Sequence, residues 1–252
     1  MQTIWTDTDA DRHVRSIDTV AFRIIESQEK VATMTLVDTV EEQMLLETIL
    51  DNSKPVASNT SHNHHYLITT PFRYPPLRHG SRFSTRSLPG LFYASLETQT
   101  TLAECAYYRF VFWHGMAVEP PMQRLITEHT TFAVTVKTEQ GLVLDEEPFK
   151  AYSNEISHPA RYEASQAMGE AMRNAGIEAF TFLSARDVQQ GINIGIFTTN
   201  AIQSKKPLRQ QLWSCITTAT QISFIRLHSK ARPLVFPLEQ FLYEGKLPTP
   251  AT

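Results

Sequence analysis

Apolar residues recur along this chain with two different periods, and the change between them divides it. Val40, Met44, Leu45, Ile49 and Leu50 step at helical spacing. Asp38 followed three positions later by Glu41 is the reciprocal capping pattern that satisfies the first free N–H groups of a helix. A helix is therefore predicted to run to Asp51-Asn52-Ser53. Upstream, Val20-Ala21-Phe22-Arg23-Ile24-Ile25, followed by Glu26-Ser27-Gln28-Glu29-Lys30, fits a second helix, although the run is too short to define a period. Residues 54–65 are rich in Ser, Asn and His and read as a linker or surface loop. Residues 1–65 are thus expected to form an N-terminal helical extension, and residues 66–252 the main domain.

From Tyr66 the pattern turns to short strands and loops with two helices interleaved. Leu102, Ala106, Phe110 and Trp113 step by four, four and three, one apolar stripe on a helix that starts near Ser95 or Thr98. Ala164, Ala167, Met168, Ala171, Met172 and Ala175 mark the second, and Gly176 stands where a C-terminal glycine stops a helix. Thr131-Phe132-Ala133-Val134-Thr135-Val136 and Gly141-Leu142-Val143-Leu144 read as two strands joined by a turn at Glu139-Gln140. Residues 177–183, 192–197 and 220–227 are predicted strands. Helices inserted among non-repeating strands indicate an α+β fold, not a doubly wound sheet.

Composition narrows the class. A chain of 252 residues, 42% hydrophobic and 19% charged, is a folded globular protein. Its 23 basic and 26 acidic side chains leave a net charge of −3, which is no footprint for a general nucleic-acid or anionic-membrane binder. Cys105 and Cys215 have neither metal-type spacing nor the density of a disulfide scaffold, which suits a reducing compartment. The acidic N-terminus lacks a signal pattern and no run of eighteen apolar residues occurs, so a cytoplasmic protein is expected. Gly-x-Gly-x-x-Gly, Walker-type and Gly-x-Ser-x-Gly motifs are absent. His62, His64 and His65 lie in the Ser/Asn-rich loop without a carboxylate or cysteine nearby, and are expected to be solvent-exposed, not metal ligands.

One charge pattern stands out. Between Asp51 and Glu97 there is no acidic residue, while Lys54, Arg73, Arg78, Arg82 and Arg86 fall inside that stretch, interleaved with Phe72, Tyr74, Phe83, Phe92 and Tyr93. Guanidinium forks grip phosphate oxygens in pairs and aromatic rings stack on bases, so the mixture fits a nucleotide. It also fits a solvated loop surface, which composition alone favours, or an RNA-binding strip. Glu104 has Thr100, Thr101, Tyr107 and Tyr108 at helical neighbour positions, which places it off the apolar stripe of its helix.

Taken in order, Phe72-Arg73-Tyr74-Pro75-Pro76, Gly80-Ser81-Arg82-Phe83, Gly90-Leu91-Phe92-Tyr93-Ala94-Ser95 and Thr101-Leu102-Ala103-Glu104 resemble the RES-domain family of bacterial toxins. The resemblance continues through Asn174-Ala175-Gly176 into Phe182-Leu183-Ser184-Ala185-Arg186, and spans about residues 66 to 230. It places the family's arginine on Arg82, its tyrosine on Tyr93, its glutamate on Glu104 and its serine on Ser184. Where the family often has Gly-Gly-Arg-Trp-Asn, this chain has Gly80-Ser81-Arg82-Phe83-Ser84. The resemblance implies an ADP-ribosyltransferase-like mixed sheet core and cleavage of the nicotinamide–ribose bond of NAD by hydrolysis or phosphorolysis. It also implies an Xre-type helix-turn-helix antitoxin as partner, with inorganic phosphate as a further small-molecule partner and a homo-oligomer left open.

The implied chemistry suits these side chains. In NAD the leaving group is a cationic pyridinium that departs neutral, so the general acid of ordinary glycosidases is dispensable and one carboxylate suffices. Glu104 would face the positive charge developing on the ribose, or hold a ribose hydroxyl. Arg82, helped by Arg73, would bind the pyrophosphate. Tyr93 would offer a ring to nicotinamide and a hydroxyl for orientation. Ser184 would hydrogen-bond the nicotinamide side or the ribose. NAD is the substrate in this scheme, which requires neither a separate cofactor nor a metal. Transfer of ADP-ribose to a protein target, or nucleotide binding without catalysis, are the alternatives.

Overall fold

The structure is a computed structural model that describes residues 3–27, 64–73 and 80–249, together with positions 39, 41–42, 45–46 and 49. It has a mixed α+β architecture built on one eight-stranded sheet. The strands are β1 (Arg15–Glu26), β2 (Phe92–Ser95), β3 (Leu125–Val143), β4 (Ala179–Leu183), β5 (Ile192–Ile196), β6 (Leu208–Thr217), β7 (Gln221–Arg226) and β8 (Leu234–Pro237). The helices are α1 (Ile4–Asp7), α2 (Tyr66–Arg73), α3 (Thr98–His114), α4 (Ser153–Ile156) and α5 (Glu163–Asn174).

The sheet order is β1-β2-β5-β4-β3-β6-β7-β8, and β1 also pairs with β3. Strands β1, β2, β5, β4 and β3 therefore close into a ring, and β6, β7 and β8 continue from β3 as an antiparallel branch. Only β3 and β4 run parallel; the other pairings are antiparallel. The ring is thinnest between β1 and β2, where a single register pair, Phe22 with Ser95, joins them.

Two expectations are corrected here. The segment 20–25, read as a candidate helix of an N-terminal extension, lies in β1 and pairs residue by residue with β3 from Ile17 to Glu26. Val, Phe and Ile in sequence suit a strand with both faces partly covered, and such a run shows no alternation to distinguish it from a helix. Residues 131–144 do not form a hairpin, because β3 runs unbroken through Glu139 and Gln140. Neither of those residues supplies the left-handed conformation that a tight hairpin turn needs. The irregularity is a bulge in β3: Arg15 pairs with Gly141 and Ile17 with Thr138, so β3 carries one residue more than β1 across Glu139 and Gln140, and a Cβ on Gly141 would meet the Ile17 side chain at 2.6 Å.

The apolar stripe of α3 is where the periodicity places it. Leu102, Ala106 and Phe110 are fully buried and pack with Trp213, Phe224 and Phe236 of the branch strands. Helix α5 buries Met168 and Met172, and Gly176 follows it with φ of +76°. Of the predicted helix at 38–50, most lies outside the described residues. Positions 41, 42, 45, 46 and 49 are helical, and the capping box is made one residue on from the expected pair, by Thr39 and Glu42. Helix α2 was not anticipated; Pro71 sits inside it and masks the pattern. Among the described residues no helix is long and apolar enough to cross a membrane.

Candidate active site

The first turn of α3 is tied to the sheet by adjacent threonines. Thr101 Oγ1 donates to the Phe22 carbonyl of β1 at 3.1 Å, and Thr100 Oγ1 donates to Asp187 Oδ2 at 2.8 Å. One turn on, Glu104 faces a cavity of about 320 Å³ between α3 and the β1–β2–β5 part of the ring. Its walls include Arg23 from β1, Ser81 and Arg82, Tyr93 and Ser95 from β2, Cys105 and Tyr108 from α3, Tyr162, Phe182 from β4, Arg186, and Asn193 from β5.

Glu104 is held through one oxygen. Ser184 Oγ and Asn193 Nδ2 both donate to its Oε1, each at 2.6 Å, while its Oε2 has no partner among the described residues. The sheet register explains how these donors arrive. Ser95 of β2 pairs with Asn193 of β5, which pairs with Phe182 of β4, so β5 delivers the amide beside β2, and Ser184 follows the end of β4. Asn193 is itself oriented by Ser95, whose Oγ donates to Asn193 Oδ1 at 2.7 Å. Ser184 is 5% exposed and its Oγ also accepts the Arg186 and Asp187 backbone N–H groups, both at 3.1 Å. All of its hydrogen-bonding capacity is therefore used within the protein. This revises the expected contact of Ser184 with ligand: it holds the carboxylate and the loop.

Tyr93 is revised in the same way. Its hydroxyl accepts the Phe83 N–H at 3.0 Å and lies 2.9 Å from Ser81 Oγ. Burial pushes its pKa up to about 12, so the phenol stays neutral and pins the turn that carries Arg82, while its ring faces the cavity. That turn is also gripped by α5. Ser165 Oγ donates to the Arg82 carbonyl at 2.6 Å and Gln166 Nε2 to the Ser81 carbonyl at 3.0 Å. Gly169 lets the helix approach so closely that a Cβ there would lie 2.0 Å from the Phe83 carbonyl oxygen.

Arg82 lines the cavity. Its Nη1 donates to the His158 carbonyl at 2.7 Å and its guanidinium lies 4.6 Å from the Tyr162 ring centroid, which leaves Nε and Nη2 without partners among the described residues. Arg73 closes α2 and is not among the residues lining the cavity. Arg86 is exposed. Lys54, Arg78, Tyr74 and His62 lie outside the described residues. His65 is exposed, but His64 is not the solvated loop histidine expected: it is half-buried, its Nε2 3.0 Å from the Ile202 carbonyl oxygen.

Asn193, Arg23 and Arg186 were not singled out from the sequence. A signal existed for the first two. Arg23 interrupts Phe22 and Ile24, and Asn193 interrupts Ile192 and Ile194, each a polar residue inside an apolar strand.

Comparison with known proteins agrees with the motif. Residues 57–217 match the family model of the RES domain. No curated protein sequence matches the chain. Among solved structures, the M. tuberculosis MbcT–MbcA toxin–antitoxin complex contains a similar chain, at 11% identity and a TM-score of 0.48 over 82% of this chain and 90% of that one.

Proposed function

The chain belongs to the RES domain family, and from that premise we propose that it is an NAD-consuming enzyme cleaving the nicotinamide–ribose bond. The observation that carries this reading is the state of Glu104: one carboxylate oxygen is fixed by two donors and the other has no partner among the described residues, in a cavity whose wall includes three arginines and five aromatic rings. A preorganised anion with an open oxygen stabilises positive charge where it develops, without reorganising during the reaction. In NAD that charge appears on the ribose as the C1′–N bond breaks and nicotinamide leaves with the bonding electrons. Inorganic phosphate, or water with loss of a proton to solvent, then forms the new bond to C1′. No group in this scheme has to protonate the leaving group.

Arg82 offers Nε and Nη2 to the phosphates, and the Tyr93 ring borders the space for nicotinamide. The same reading makes the free enzyme toxic through loss of NAD and calls for a neutralising partner, for which we propose an Xre-type antitoxin covering the cavity.

The test is NAD loss and nicotinamide release by the purified protein, with and without phosphate, with Glu104→Gln beside it. Glutamine keeps an acceptor for Ser184 and Asn193 and removes the charge. A charge pair at about 4 Å in a partly shielded site is worth about 4 kcal/mol. The variant should therefore fold normally and lose about 10³-fold in kcat. Phosphate dependence assigns phosphorolysis, and its absence assigns hydrolysis. A variant within tenfold of the parent refutes the assignment. Labelled ADP-ribose on protein with little free product replaces it by protein modification.

A further inference from the structure

The cavity carries more positive charge than the family motif supplies. Arg23, Arg82 and Arg186 line it, Glu104 is the one acidic residue in its wall, and among the described residues no carboxylate lies within ion-pair distance of the three guanidinium groups. Burying cations without counter-ions is costly, so their arrangement needs an explanation.

Arg186 is 3% exposed. Its guanidinium stacks 3.5 Å from the Tyr107 ring centroid and Nη2 donates to the Pro159 carbonyl at 2.8 Å, yet Nη1 is buried with no partner. Arg23 enters from β1, outside the stretch that matches the family. Its Nη1 donates to the Tyr93 carbonyl at 2.6 Å, its guanidinium lies 4.8 Å from the Phe92 ring centroid, and Nε is buried with no partner. Burial lowers its pKa to about 10, which still leaves a cation at neutral pH. Folded proteins rarely leave such donors unpaired. Of five such buried side-chain nitrogens among the described residues, two belong to side chains that line one cavity, and other contacts hold those side chains still.

We propose that Arg23 and Arg186 are substrate-binding residues which, with Arg82, form a three-guanidinium cradle for the phosphate oxygens of a pyrophosphate-bridged nucleotide. The proposal rests on the dinucleotide reading of the cavity and deepens it. Selection for a phosphate-bearing substrate over the neutral-backbone nucleoside, nicotinamide riboside, is assigned to two residues outside the Arg–Tyr–Glu–Ser motif. Planar forks fixed by stacking suit this task better than mobile ammonium groups.

The experiment uses the full chain and two probes. Calorimetry measures binding of inorganic pyrophosphate to the parent and to Arg23→Gln and Arg186→Gln. Kinetics measures KM and kcat for NAD and for nicotinamide riboside. We expect pyrophosphate affinity to fall at least tenfold in each variant, KM for NAD to rise similarly, kcat to stay within threefold, and KM for nicotinamide riboside to stay unchanged. Should either glutamine variant fail to fold, the lysine substitution at that position replaces it, with an expected loss of at least threefold. Unchanged pyrophosphate affinity in folded variants, or no binding by the parent, overturns the proposal. If the parent binds pyrophosphate through these residues but does not cleave NAD, the cradle stands and the NAD reading falls. If it cleaves NAD with KM unmoved in both variants, the cradle falls and the NAD reading stands.

Discussion

Replacing Ser184 by alanine separates a residue that holds the carboxylate from one that touches substrate. The Ser184 hydroxyl makes one bond to Glu104 Oε1 at 2.6 Å and accepts two backbone N–H groups at 3.1 Å. Alanine removes a hydrogen bond to a charged group, worth about 1.5–3 kcal/mol, and leaves two N–H donors to find other partners. A second cavity borders Ser184, so water reaches part of the vacated site. The expected net loss is about 3 kcal/mol, a fall in Tm of about 6–12 °C for a chain of this size. In catalysis, Asn193 still holds Oε1, so the carboxylate is loosened but not released. We expect kcat to fall about tenfold to a hundredfold, or about 1.4–2.7 kcal/mol, with KM for NAD nearly unchanged.

The assay is steady-state nicotinamide release below the lowered Tm, with a melt recorded on each variant. Asn193→Ala and the double variant complete the cycle. Because both donors act on one oxygen, their effects should be non-additive by at least about 1 kcal/mol. A Ser184→Ala enzyme with unchanged kcat and a raised KM refutes the reasoning, since that pattern belongs to a direct ligand contact.

Three further outcomes are expected. Gly169→Ala sets a methyl group against the Phe83 carbonyl and displaces the turn bearing Arg82, so the melt should fall by about 3 kcal/mol equivalent and KM for NAD should rise. Normal values for both would show that the helix–turn contact is slack. His129 is 2% exposed and burial lowers its pKa from 6.5 to about 4, so the unfolded chain takes up its proton first as the pH falls. That part of the stability is complete above pH 6.5 and declines toward pH 4 by up to about 3 kcal/mol, and His129→Gln should flatten the chemical-denaturation profile there; an equal slope in both proteins contradicts it. Burial pushes the Cys105 thiol up to about 12 and raises Cys215 as well, so Ellman's reagent at pH 8 should titrate no thiol quickly in the native protein and both after unfolding. Rapid reaction of the folded protein would contradict it.

What the sequence revealed follows how local each feature is. The stripe of Leu102, Ala106 and Phe110 lies within one helix, so its period was enough to place α3 and to turn Glu104 away from the core. Strand β1 was illegible for the opposite reason. Its partner begins about a hundred residues later, and a run such as Val20 to Ile25 has no alternation to betray a strand. The continuous β3 was misread because a polar pair in mid-strand resembles a turn until a neighbouring strand is seen to pair across it. The site divides likewise. Arg82, Tyr93 and Glu104 are close in sequence and meet in one cavity, whereas Arg23, Asn193 and Arg186 arrive through strand register and loop closure.

The roles of these residues follow from which hydrogen-bonding groups are already used. Ser184 Oγ and the Tyr93 hydroxyl are satisfied inside the protein, each by contacts that fix another part of the site. Such groups have little left for a ligand, and removing them should act through position, on kcat and stability. Among the described residues Glu104 Oε2, Arg82 Nε and Nη2, Arg23 Nε and Arg186 Nη1 have no partner, although their side chains are held by other contacts. Holding a polar group rigid while leaving part of it unpaired costs stability, and a ligand with complementary charge is what offsets that cost. The motif therefore mixes two kinds of residue. On the proposed function its glutamate and arginine face the substrate while its serine and the hydroxyl of its tyrosine hold them in place, and on the proposed cradle two arginines outside it complete the binding surface.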